Sequence, residues 1–228
     1  MTVQSAITGG QCEGSGSTKL VSPLALADLE MITPQGRVSG NHVTPTDHQY
    51  WQSVGVTYQT AGSIGRNAAE PDRFKIFAPA DGYIVHIEQF PDSDYRFIIE
   101  HSCTFYTIFI HVDKLSDKIL SEAQTEGGRF ASSRIPVKAG EVIASIGYHS
   151  FDFSVHDTQY TLKGLLIPEH YSTESWKIYT VDPFDYFEEP LKSQLKSKSL
   201  RTTEPVGGKI DYDIDGKLVG NWFVETTN

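Results

Sequence analysis

Cysteine is scarce. Only Cys12 and Cys103 occur in 228 residues, so at most one disulfide can form and a disulfide scaffold is excluded. Positive charge is also short. Lys and Arg total 19 against 29 Asp and Glu, a net charge of -10, which argues against gripping a nucleic-acid backbone. No apolar run approaches the roughly 20 residues of a membrane span. A Gly-rich phosphate loop, a C-x-x-C pair and a G-x-S-x-G elbow are all missing. The 39% of apolar residues still suffices for a core, so global disorder is excluded.

The ends of the chain read differently from its middle. MTVQSAITGGQCEGSGSTK is polar and Gly/Ser-rich, lacks the basic-then-apolar pattern of a signal peptide, and reads as a flexible lead-in over residues 1–19. At the far end, KIDYDIDGKLVGNWF alternates on both sides of Asp215-Gly216, which predicts a β-hairpin over 206–228. A hairpin so near Asn228 suggests a chain that continues into a further segment.

Between Phe74 and Val155 the pattern is of successive strands. RFKIFAPADGYIVHIEQF holds two runs broken by Pro79-Ala80-Asp81-Gly82. YRFIIEH and FYTIFIHV are rich in β-branched and aromatic residues. IPVKAGEVIASIG turns at Gly140, and FDFSVHD alternates strictly. LSDKILSEA predicts one or two helical turns capped by Ser116. VDPFDYFEEPLKSQLKSK predicts helix capped by Asp182 and interrupted at Pro190. The fold class is therefore mostly β and antiparallel, with short peripheral helices.

Chemistry-bearing residues collect around these strands. His101 and His111 end two successive strands. His42, Asp47 and His48 stand in NHVTPTDH, and Asp152 lies on the polar face of FDFSV. Any one of these residues also reads as structural or solvated; the inference rests on the set.

The set, in this order, resembles the zinc endopeptidase domain of the lysostaphin/LytM type, which cuts peptide cross-bridges in bacterial cell walls. IFAPADGYIVHI resembles that family's Ala-Pro and Gly segment. IIEHSCTFYTIFIHVDKL resembles its His strand and Tyr-x-His-Leu signature, with Phe109 for Tyr and Val112 for Leu. VKAGEVIASIG resembles its Gly hairpin. The resemblance covers roughly residues 40–157. It implies a sandwich or open-barrel β domain (the duplicated hybrid motif) over 20–160, followed by a helical or loop extension over 161–205. It also implies zinc, a peptide or cell-wall polymer as partner, and an extracellular or cell-envelope location.

The ligand motif departs from the family's His-x-x-x-Asp and His-x-His. His42 and Asp47 are one residue too far apart, and Ser150 and Asp152 stand where two His belong. Two readings stay open. In one, the ligand types are exchanged, so that His42, His48 and Asp152 form a two-imidazole, one-carboxylate zinc set. Asp47 is then an alternative ligand or orients a ligating His. His111 matches the family's catalytic His, His101 accompanies it, and Ser150 offers a hydroxyl to an oxyanion but no base near neutral pH. Activity would be weak or turned to another bond. In the other, the metal site is lost and the fold serves as a binding or structural module. Lipoyl and biotinyl carrier domains share the paired hairpins, but no Lys here stands at the tip setting they require.

Overall fold

A computed structural model describes residues 2–8, 12–38, 42–43, 45–56, 70–123, 125–126, 129–130 and 134–224. Its helices are α1 (Val3–Thr8), α2 (Asp117–Glu122) and α3 (Leu191–Lys196). Its early strands are β1 (Leu29–Thr33), β2 (Gln49–Ser53), β3 (Phe74–Phe77), β4 (Gly82–Phe90), β5 (Asp94–Glu100) and β6 (Phe105–Val112). The rest are β7 (Lys114–Leu115), β8 (Thr125–Glu126), β9 (Arg129–Phe130), β10 (Ile135–Val137), β11 (Val142–Ile146), β12 (Ser150–Asp157) and β13 (Thr180–Val181). The expected mostly-β, antiparallel class is what the structure shows.

The large sheet is open and runs β1-β2-β12-β6-β5-β4-β10, with β13 also paired to β12. A second sheet runs β3-β11-β7, and β8 and β9 pair as a small ribbon. Apolar residues of both main sheets form one core, including Trp51, Phe74, Ile76, Phe97, Phe109, Ile143, Phe151 and Phe153. The chain passes from one sheet to the other at the two sequence-predicted turns, after β3 and after β10. Asp81 locks them together, accepting from Ala139 N at 2.9 Å and pairing with Lys138 at 2.7 Å. Gly82 is required there, because a Cβ would meet Glu100 O at 2.5 Å and His101 Nδ1 at 2.9 Å.

Helix signals hold locally. Ser116 caps α2 by accepting from Ile119 N. Asp182 caps a 3-10 turn over Pro183–Tyr186, and α3 begins only after Pro190. The 161–205 stretch wraps the core, with Phe184, Phe187 and Leu195 buried in it.

Both ends differ from expectation. The lead-in is packed: Val3, Ala6 and Ile7 of α1 cluster with Val85, Ile98, Tyr106 and Ile108 on the outer face of the large sheet. A disulfide joins Cys12 to Cys103 beside it. Six residues are too few for a stable isolated helix, so α1 depends on that face. At the other end only the turn of the expected hairpin forms. Gly216 has φ +71 and Ile214 N bonds Val219 O at 3.0 Å, but no strand is present over 206–224. Asp211 and Asp213 instead accept backbone N–H groups from Gly164 and Leu166.

Candidate metal centre

Alternation along β12 divides its side chains. Phe151, Phe153 and Val155 enter the core, while Asp152, Ser154 and His156 lie on the opposite face. That face is buried as well, with Asp152 2% exposed and His156 fully enclosed. Asp152 pairs with Tyr50 of β2 and Ile110 of β6, which places its carboxylate at the centre of the sheet face.

The segment entering β2 brings histidines to this carboxylate. One ligand atom each from His42, His48 and Asp152 lies within 4.8 Å of the others. His48 Nε2 is 3.2 Å from Asp152 Oδ2. The His42 and His48 rings are 5.2 Å apart, and Tyr50 packs edge-on against both, 6.4 Å from His42 and 4.9 Å from His48. Asp47 stands behind His48. Its Oδ1 accepts from His48 Nδ1 at 2.9 Å, and its Oδ2 accepts from the Trp176 indole at 2.9 Å. Both Asp47 oxygens are thus engaged away from the cluster.

That bond sets the His48 tautomer: Nδ1 carries hydrogen, and Nε2 faces Asp152. A ring lone pair and a carboxylate oxygen 3.2 Å apart need a cation or a proton between them. The structure leaves His42 Nδ1, His48 Nε2 and Asp152 Oδ1 buried without a hydrogen-bond partner. Two imidazoles and a carboxylate also match the donor set of a three-ligand zinc site. The residues therefore fit a zinc ion.

Charge balance in the cluster is tight. Burial opposes protonation of His48, but the carboxylates of Asp152 and Asp47 outweigh it and raise its pKa. His42 moves down, through burial and then the neighbouring His48. Burial would raise the Asp47 pKa, yet the hydrogen bond and charge of His48 and the charge of Lys177 hold it well below the usual carboxylate range. Burial, aided by Asp152, pushes the Tyr50 hydroxyl to about 12.

His111 reaches the same face through an irregularity. Tyr95 pairs with Val112 and Phe97 with Phe109, so Ile110 and His111 both oppose Arg96. His111 has φ +65, the left-handed region unusual for a non-glycine residue. This bulge turns its imidazole toward Asp152, with Nε2 3.7 Å from Oδ2, and lets Val112 return to the core. Asp94, at the start of β5, accepts from His111 Nδ1 at 2.8 Å.

The other two sequence candidates stand apart from these contacts. His101 lies in the turn before β6, at the opposite end of that strand from His111. Its Nδ1 bonds Asp81 O at 2.8 Å and its Nε2 contacts Thr107 Oγ1 at 3.0 Å, while desolvation lowers its pKa to about 4. The structure does not bring it to the cluster: one ring nitrogen is committed to the Pro79–Gly82 turn and the other to Thr107 of β6. Ser150 shares the alternation face of Asp152 at the start of β12, and its carbonyl accepts from His149.

Sequence reasoning missed Asp94, Trp176 and Lys177. Asp94 was within reach: counting back from the Ser102-Cys103 turn sets residues 94–95 opposite 110–111. Trp176 and Lys177 carry no comparable signal.

Neither protein-family models nor curated proteins match the chain. Solved structures do. A chain of the SpoIIQ–SpoIIIAH pore-forming complex is 11% identical with a TM-score of 0.46, covering 78% of this chain and 96% of its own. Lysostaphin is 11% identical with a TM-score of 0.31, covering 64% of this chain and 50% of its own. A zinc-containing peptidase from Vibrio cholerae is 12% identical with a TM-score of 0.28, covering 62% of this chain and 34% of its own. At such identities and TM-scores the likeness assigns no activity to this chain.

Proposed function

We propose that the chain is a divergent metallopeptidase-like domain of the lysostaphin/LytM type. It would hold zinc through His42, His48 and Asp152 and hydrolyse peptide bonds, in cell-wall or other peptides, slowly. The observation that carries this reading is the convergence of those three side chains, with buried unpartnered atoms on each. The ion would supply Lewis acidity toward a peptide carbonyl and toward water.

The chain's own groups do the rest. Asp47 holds His48 with Nε2 toward Asp152. Asp94 takes the Nδ1 hydrogen of His111, so His111 Nε2 can accept a proton on the cluster's side. Ser150 is the available hydroxyl donor for a developing oxyanion, and it is a weaker aid than the imidazole it replaces in the family pattern. His101 has no part in this reading. A disulfide between Cys12 and Cys103 supports an oxidising location such as the envelope or the exterior.

One observation favours the second reading, a metal-free binding or structural module. At 3.2 Å, a protonated His48 and Asp152 can neutralise each other with no ion present. Zinc content of the purified chain decides between them. Near one equivalent, lost in Asp152→Ala and accompanied by slow cleavage of a cell-wall cross-bridge peptide, supports the hydrolase. No zinc uptake at saturating metal leaves the module.

A further inference from the structure

Among the described residues from His42 to His48, no helix or strand forms. The backbone of this loop is tied to the preceding segment through Gly36 N to Thr46 O at 2.8 Å and Thr46 N to Arg37 O at 2.9 Å. Further support comes from far along the chain. Lys177 is fully buried, and its ammonium donates to Val43 O, to Pro45 O at 3.1 Å, and to Glu174 Oε2 at 2.9 Å. Those are three acceptors for three N–H bonds, so the ammonium is satisfied. Two of them are loop carbonyls lying between the two histidines. The next residue back, Trp176, donates its indole N–H to Asp47, which in turn holds His48.

We propose that Lys177 and Trp176 are positioning residues that hold the 42–48 loop in its metal-ligating shape. This rests on the zinc reading above and adds a part of the chain outside the 40–157 region of family resemblance. The geometry favours positioning over mere filling. A buried ammonium is costly where an apolar side chain would pack, and it is kept here at carbonyls flanked by the two histidines. The brace is also referenced to the third ligand. Directly after Lys177–Tyr179, β13 pairs with β12, matching Thr180 to His156 and Val181 to Val155, on the strand that carries Asp152. One frame thus sets the distance between the loop ligands and the strand ligand.

The test uses the full chain with zinc or cobalt(II) as probe. Trp176→Phe keeps an aromatic ring and removes only the N–H. It should weaken zinc affinity about 10–100-fold, measured by chelator competition, and alter the cobalt(II) absorption spectrum. The melting temperature of the metal-free protein should move by no more than about 2–4 °C. Lys177→Met should weaken affinity further; because it strands Glu174, it is paired with the double change Lys177→Met/Glu174→Gln. Unchanged affinity and spectrum in Trp176→Phe overturn the inference. So does an affinity loss that merely tracks a large drop in metal-free melting temperature. Wild-type protein that takes up neither metal overturns the zinc reading itself and this inference with it, an outcome seen before any variant is made.

Discussion

The two faces of β12 are equally buried and chemically opposite. On one, Phe151 and Phe153 join Trp51, Phe97 and Phe109 in an aromatic layer, with Phe97 and Phe109 stacked at 4.8 Å and Trp51 edge-on to Phe153 at 5.5 Å. On the other, Asp152, Ser154 and His156 sit beneath the 42–48 loop and the 168–179 segment, and Asp152 Oδ1 and His156 Nδ1 lack hydrogen-bond partners. Burial does not separate a core face from a site face. What separates them is whether the buried groups are satisfied by what surrounds them. The apolar face is complete as packing, whereas the polar face is costly unless something pairs its atoms.

The strongest way to break the comparison is to cut into the apolar face. Phe153→Ala should destabilise the protein by about 3–5 kcal/mol, read from urea unfolding, because the stacked layer cannot collapse onto the void. Zinc stoichiometry of the folded fraction should not change. A loss of under about 1 kcal/mol would mean the aromatic layer is loosely packed after all.

The polar face should show itself through pH. Burial lowers the His156 pKa from 6.5 to about 4. Between those values the unfolded chain binds a proton and the folded chain does not. Stability from this residue is therefore complete above about pH 6.5 and falls as pH drops. At 1.36 kcal/mol per pH unit, the fall reaches about 3 kcal/mol by pH 4. His48 has the opposite sign: its pKa is raised, so its contribution is full below 6.5 and fades as pH climbs through the folded value. In chelator-treated protein, His156→Gln should flatten the acid limb relative to wild type. An acid limb identical in the two proteins would rule out a buried neutral His156.

A milder cut removes charge and keeps shape. Asp152→Asn should lower zinc affinity by more than about 100-fold, because it removes an anionic ligand itself, whereas loss of a group that only orients a ligand costs about 10–100-fold. The metal-free protein should lose less stability than Phe153→Ala does, since no cavity opens. Titration by calorimetry separates the two effects, and full-strength zinc binding by the Asn variant would remove Asp152 from the ligand set.

The strands were legible because alternation and turn chemistry are local. The Pro79–Gly82 and Gly140 turns, the Ser116 and Asp182 caps and the β12 alternation all follow from neighbours in sequence. The grouping of His42, His48 and Asp152 was legible only through resemblance to a family pattern, since it depends on β2 pairing with β12 about 100 residues on. The bulge at His111 was not legible, because a one-residue shift in pairing leaves no mark in composition. Lys177 and Trp176 were hidden for a different reason: an isolated Lys-Trp neighbourhood in an irregular segment reads as surface. The packed start of the 1–19 segment was not legible because its Gly and Ser content outweighed the short Val3, Ala6, Ile7 stripe.

The smallest expected effect lies furthest from β12. Gly216 has φ +71, and a Cβ there would meet nothing within 4 Å, so substitution is limited by backbone strain alone. A β-branched residue in that region costs about 1–2 kcal/mol locally. The turn carries no strand ladder. It is tied to the body by Asp213, which accepts from Leu166 N and donates its own N–H to Gly164 O at 2.9 Å, and by Phe223 against Tyr171 at 5.3 Å. Those ties do not pass through the turn, so Gly216→Val should open it without loosening the sheets. Amide exchange at Ile214, which bonds Val219 O across the turn, should speed up about tenfold, the equivalent of roughly 1.4 kcal/mol. The global unfolding midpoint should move by less than a 1 kcal/mol effect would require. If instead the whole protein lost the full strain energy, the tail would have to be counted with the cooperative core, and the contrast would no longer be between two faces of one strand.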